Sequence, residues 1–329
     1  MKSQSDILYK LLRAGVLNCN PEVEDVSAVD WDAMMDNASE QGVLAWVWDG
    51  ICMLPQELQP ARKYRINWGL SAQEVWAKYS KHRQVLQKIV NICTNNDVRV
   101  LLMKGIALSV LYPKPESRPC GDIDIYLFED YAKGNRLLTG GDVNRIDKHA
   151  NITIDGVLIE NHYQFFEPNT AMKRKIMDYL ASTFDDVVLT EDGYYTFSNE
   201  ANCVFLTFHT LKHFTEGLLI PIRNVLDFAM FLDKHRQQLP SETLLARMQE
   251  FELSDGFEML LYFSEWILGV SFGEYHRGII PSSEVEKIKS VWLGEKAVAA
   301  FEDKNNGISR VFIKNVTRYV ASLNIFQPT

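Results

Sequence analysis

The stretch that decides the fold is Arg118–Phe128, RPCGDIDIYLF, a turn that runs into a short strand. Side chains alternate across a strand, so Ile123, Ile125 and Leu127 take one face while Asp122, Asp124 and Tyr126 take the other. The apolar trio asks for a core. The two acids opposite it either repel, raising one pKa, or share a cation. Magnesium prefers oxygen ligands and usually takes one or two carboxylates plus phosphate oxygens and water, so the pair suits a metal–nucleotide substrate. For an isolated Asp-x-Asp the plain reading is a solvated strand edge, and the flanking sequence shifts the balance.

Upstream, Val98–Met103 is an apolar run with the look of a buried strand, followed by Lys104-Gly105 at the start of the helical-looking IALSVLY. A glycine there lets the backbone approach a phosphate, and a helix start supplies unpaired N–H groups. Pro113, Pro115 and Pro119 stiffen the loop into the acids. Downstream, Ile152–Ile154 and Val157–Phe165 flank Asp155-Gly156, the favoured two-residue hairpin turn. On the second of those strands Glu160 and His162 share a face, which brings a third carboxylate within reach of the pair. A second hairpin is expected around Glu191-Asp192-Gly193.

On both sides the periodicity turns helical. Residues 4 to about 96 read as helix throughout, with Trp68, Ala72, Val75, Trp76, Tyr79, Leu86, Ile89 and Cys93 forming a stripe that reads as core. Helices are expected at roughly 200–216, 222–236, 241–251, 255–269, 283–303 and 308–323. The fold class is therefore α+β: a small mixed β-sheet core flanked by helical N- and C-terminal segments. The segments run 1–96, 97–198 and 199–329.

Composition narrows the function. The 329 residues are 47% hydrophobic with a net charge of -9, which argues against a broad basic face for duplex nucleic acid. Five scattered cysteines with no CxxC pairing argue against a zinc cage or a disulfide framework and point to a reducing cytoplasm. No apolar stretch is long enough for a membrane span, and no cleavable leader is evident. His209 and His213 are four apart, but Thr210 stands where a zincin needs Glu, so zinc hydrolysis is rejected.

The order of strand, Lys104-Gly105, Tyr112-Pro113, Arg118, Asp122-x-Asp124 and Glu160-x-His162 resembles the polymerase-β-type nucleotidyltransferase superfamily. More narrowly, it is similar to the bacterial branch of uncharacterised nucleotidyltransferases, over about 98–235. That branch tends to have a helical tail carrying a His, then an Arg and an Asp one turn apart. His213, Arg223 and Asp227 follow that order. The resemblance implies a nucleotidyltransferase core that moves a nucleoside monophosphate from a nucleoside triphosphate, ATP by the same likeness, to an acceptor hydroxyl. The acceptor would be a small molecule or a protein. It implies Mg²⁺ or Mn²⁺ on Asp122, Asp124 and Glu160, with Lys104, Gly105 and Arg118 binding the nucleotide. His162, His213, Arg223 and Asp227 form a second tier. One departure is Gly105-Ile106, where the superfamily has Gly followed by Gly or Ser. It keeps a binding module without turnover as an alternative. A DxD glycosyltransferase is another, although it would place a larger α/β unit ahead of the acids.

Overall fold

In the computed structural model the described residues are 4–141, 148–215 and 221–280, side chains of 213–215 excepted. The expected helices at 283–303 and 308–323 lie outside them. The architecture is the α+β one, with a six-stranded mixed sheet and helices before and after it in the chain. The described residues divide into two compact units, 4–72 with 206–280, and 73–205.

The first unit is helical. It holds α1 (Gln4–Leu17), α2 (Trp31–Glu40), α3 (Leu44–Cys52) and the start of α4 (Arg62–Thr94). From the later chain it takes the end of α7 (Asn199–Thr215), then α8 (Ile222–His235), α9 (Ser241–Glu250) and α10 (Ser254–Leu268). The N-terminal part is not helix throughout. Asp30 caps α2 by accepting from the N–H groups of Asp32 and Ala33. The long helix α4 begins only after Pro60, since a proline inside it would remove a ladder hydrogen bond. Trp68 and Ala72 are fully buried here, as the stripe requires.

The second unit carries the sheet, in the order β3-β4-β2-β1-β6-β5. Its strands are β1 (Leu101–Leu102), β2 (Ile123–Tyr126), β3 (His149–Ile154), β4 (Val157–His162), β5 (Val188–Leu189) and β6 (Tyr195–Thr196). β2 runs parallel to β4, and β1 parallel to β6; the other pairs are antiparallel. Both hairpins form. Asp155 and Gly156 have φ of 51° and 80°, the left-handed values a two-residue turn needs, and Ile154 pairs with Val157 across it. The expected strand at Val98–Met103 narrows to two paired residues, although Val98, Val100, Leu101, Leu102 and Met103 are all buried.

Ile123, Ile125, Leu127, Ile152, Ile154, Val157 and Ile159 make the sheet's apolar face, and Val85, Leu86, Ile89, Val90 and Cys93 of α4 cover it. A one-residue slip of β2 would turn its apolar residues out, losing about 2 kcal/mol for each. That penalty pins the acids to the opposite face.

IALSVLY is not an α-helix. Gly105–Leu111 forms a 3-10 helix, entered by Gly105 at φ 65° and left two residues before Pro113. Ile106, Ala107, Leu108 and Ser109 are buried in succession before the exposed Val110, so burial along the run does not follow an α-helical period. Two helices have no counterpart in the sequence reading: α5 (Tyr131–Thr139) and α6 (Ala171–Ser182), the latter capped by Thr170 Oγ1 accepting from the Lys173 N–H.

Candidate functional site

On the face of the sheet away from α4, the parallel register sets Asp124 opposite Glu160 and Tyr126 opposite His162. Asp122 stands at the mouth of β2. One carboxylate oxygen from each of Asp122, Asp124 and Glu160 lies within 4.8 Å of the others. The structure thus brings together the three acids that the sequence singled out. They differ in exposure: the side chain of Asp122 is 33% exposed, Glu160 20%, and Asp124 not at all.

Asp124 is covered by polar partners rather than by apolar core. Lys104 Nζ donates to Asp124 Oδ2 and lies 3.9 Å from Asp122 Oδ1. His162 Nε2 sits 3.0 Å from Asp124 Oδ1 and 3.3 Å from Glu160 Oε2. Burial pushes the Asp124 carboxyl up, but Lys104 and His162 outweigh it and hold the group far below the carboxylate range. For Glu160 the His162 hydrogen bond is the leading influence, and it too holds the acid ionised. His162 is pushed down by burial but raised more by its bonds to Asp124 and Glu160. Lys104 is likewise raised on balance, burial being overcome by Asp124, Asp122 and Glu160.

Those shifts set opposite limits on stability. His162, raised above its unfolded value of about 6.5, stabilises the fold fully below that pH and ceases to as pH rises through the folded value. Asp124, depressed below about 3.9, stabilises above that pH and stops doing so as acid titrates it. Chelator-treated protein is therefore expected to resist urea best between about pH 4 and 6.5 and to weaken on the alkaline side. In His162→Gln the alkaline decline flattens. An unchanged decline in urea midpoints would assign it to another group.

The loop before the acids is anchored to α4. Trp76 Nε1 donates to Ser117 Oγ at 3.1 Å, Lys114 Nζ lies 4.3 Å over the Trp76 ring, and His82 Nε2 is 3.0 Å from the Gly121 carbonyl. Arg118 is buried and donates from Nη1 to the Pro119 carbonyl at 3.0 Å. Gly105 keeps φ at 65°, where a side chain is strained; a Cβ there would stand 3.6 Å from the Asp122 carbonyl. Beyond the acids, Tyr126 packs against Phe165 and Phe184 with ring centroids 4.8 and 5.3 Å away, closing that end of the face with aromatic surface.

The second tier divides. His162 is at the acids. Arg223 and Asp227 sit four apart on α8 in the helical unit, where the Arg223 N–H donates to the Gln41 carbonyl at 3.5 Å. His213 belongs to α7, its side chain outside the described residues. A residue the sequence reading passed over joins the face: His149 on β3 pairs with His162 across the hairpin, and its Nε2 is 3.7 Å from Glu160 Oε1. Burial lowers its pKa, leaving the ring neutral at pH 7. Counting outward from the Asp155-Gly156 turn would have found it.

In comparison with protein families, the model of a family of uncharacterised nucleotidyltransferases matches residues 27–269. The chain belongs to that family. The match reaches further on both sides than the 98–235 stretch whose motifs carry the likeness, taking in helices before and after the sheet. Membership makes nucleotidyl transfer, in general terms, the chemistry of this nucleotidyltransferase, and a nucleotide its general class of substrate. No curated protein and no solved structure matches. Among the described residues no helix is long and apolar enough to cross a membrane.

Proposed function

We propose that this nucleotidyltransferase moves a nucleoside monophosphate from a triphosphate, ATP first among them, to an acceptor hydroxyl on a small molecule or protein. The observation that carries the reading is the convergence of Asp122, Asp124 and Glu160 within 4.8 Å. Three carboxylates form an all-oxygen donor set, which fits Mg²⁺ or Mn²⁺. When bound there, such an ion would offset phosphoryl charge and lower the pKa of the acceptor hydroxyl.

The remaining work falls to the chain. The acceptor oxygen bonds to the α-phosphorus, the bridging oxygen–phosphorus bond breaks, and pyrophosphate leaves with the electron pair. Glu160, held ionised by His162, serves as a ligand rather than as a store for the acceptor's proton, which passes to water. Were a cation held by the acids, Lys104 would be displaced from them and available to the triphosphate, beside the backbone left open at Gly105. Arg118 holds the proline loop that presents Asp122.

Purified protein with Mg²⁺, each nucleoside triphosphate and a panel of hydroxyl acceptors is expected to release pyrophosphate. Nucleotide binding with no release across the panel would sink the transfer reading and favour a binding module. Preference for a sugar nucleotide with Mn²⁺ would favour the glycosyltransferase.

Lys104 gives a second check with opposite signs. Its ammonium competes with a cation for the same carboxylates, so Lys104→Met is expected to tighten Mn²⁺ binding alone by about tenfold. The same variant binds the Mn²⁺–triphosphate about tenfold more weakly, through loss of a phosphate partner. Calorimetry reads both. Two changes of the same sign would contradict the displacement.

A further inference from the structure

A second donor set shares the face with the carboxylates. His149, Glu160 and His162 each offer one ligand atom, and these atoms lie within 4.8 Å of one another. The hairpin builds it: His149 is the register partner of His162, and Asn151 of Glu160, so all three donors stand on one face of two adjacent strands. The imidazoles approach different oxygens of the one carboxylate, His149 Nε2 at 3.7 Å from Oε1 and His162 Nε2 at 3.3 Å from Oε2. Ligands at about 2.0–2.1 Å around a tetrahedral ion stand about 3.3 Å apart. The two nitrogen–oxygen contacts are near that spacing, and a small closing of the three ligand atoms, now within 4.8 Å of one another, would complete the set.

Two details bear on a ligand role. His162 Nδ1 lies 3.3 Å from the Gln164 carbonyl, the outer contact that commonly orients a metal-binding imidazole, and its Nε2, 3.0 Å from Asp124 Oδ1, would exchange that bond for the ion. His149 Nδ1 is buried with no hydrogen-bond partner among the described residues, so its Nε2, 3.7 Å from Glu160 Oε1, makes the ring's polar contact with the cluster. The donor chemistry also differs from the first set. Two imidazoles and one carboxylate suit a borderline ion, whereas magnesium wants oxygen.

We infer that His149, Glu160 and His162 form a second cation site, selective for a zinc-class divalent ion over magnesium. It rests on the carboxylate reading only through Glu160, which both sets share. Three protein donors leave a fourth position open to water or to a substrate oxygen.

Cobalt(II) tests the site, because imidazole-bound cobalt has visible absorption bands. The full chain, stripped with chelator, is titrated with Co²⁺ at neutral pH without nucleotide, and competed with Zn²⁺ and then Mg²⁺. The expected result is one saturable site whose bands zinc removes and excess magnesium does not. His149→Ala and the size-conserving His149→Gln each weaken it by at least about tenfold, the least that even outer-shell changes cost a metal site. Circular dichroism checks that both variants fold. Asp122→Asn keeps the bands, since Asp122 is not a donor here.

Absence of bands, unchanged cobalt affinity in folded His149 variants, or displacement by magnesium as readily as by zinc overturns the site. None of these outcomes touches the carboxylate reading, which stands or falls on pyrophosphate release and its loss in Asp122→Asn.

Discussion

Asp124→Ala is expected to cost about 3–5 kcal/mol of stability and to abolish transfer, whereas Asp122→Asn abolishes transfer at a stability cost within about 0.5 kcal/mol. The difference comes from burial. Asp124 has no exposed side-chain surface and neutralises both Lys104 and His162. Removing it takes the nearest counter-charge from two cationic groups, leaving Lys104 with Asp122 at 3.9 Å and His162 with Glu160 at 3.3 Å. Breaking a buried pair is the costly case. Asp122 is a third exposed and only 3.9 Å from Lys104, a contact that water screens. Each acid would nonetheless be needed to hold the cation, whose several kcal/mol of transition-state stabilisation corresponds to about a thousandfold in rate or more. Urea unfolding and pyrophosphate release on the same preparations separate the two effects. If Asp122→Asn retains transfer, the metal role given to the pair is wrong. If Asp124→Ala is as stable as the parent, its ion pairs do not form.

What could be read from the sequence was whatever a period or a turn enforces. Alternation in DIDIYL put the acids on one face because exposing Ile123 and Ile125 would cost more than any rearrangement gains. Asp155-Gly156 fixed a hairpin because only left-handed residues make a two-residue turn, and that register carried Glu160 and His162 to β2. The helices α7 to α10 followed their apolar spacing closely. The 3-10 form of Gly105–Leu111 was hidden, because four successive buried residues carry no period.

Two further features depended on tertiary pairing. Lys104 reads beside Gly105 as a phosphate ligand, yet without a cation present the nearest negative charge is Asp124, and the lysine takes it. His149 looked like an isolated histidine, because its meaning comes from a strand partner 13 residues away, counted only once the turn is trusted. Local pattern gave the scaffold of the site; the charge balance within it depended on which side chains meet.

The largest purely structural effect is expected where α1 and α3 meet in the helical unit. A Cβ on Gly15 would stand 1.8 Å from the Trp46 carbonyl oxygen, and one on Gly50 would stand 2.0 Å from that of Leu11. Both obstacles are backbone, so no rotamer change relieves them; the helices must separate. Alanine is preferred over glycine inside a helix by about 1 kcal/mol. Against that gain, forcing a packed interface apart costs about 3 kcal/mol, and Leu8, Leu11, Leu12 and Val47, all buried, lose contacts with it. Steric overlap wins, and Gly15→Ala or Gly50→Ala should each destabilise by about 2 kcal/mol net. The pair should not add. Both substitutions demand the same movement, so once Gly15→Ala has parted the helices much of the Gly50→Ala penalty is already met. The double variant is expected to fall short of the summed losses by about 1 kcal/mol, a coupling typical of residues that share one backbone shift. Urea midpoints of the four proteins measure it. Additive losses would mean that each glycine is accommodated locally, and that the close approach of α1 to α3 is not a single rigid contact.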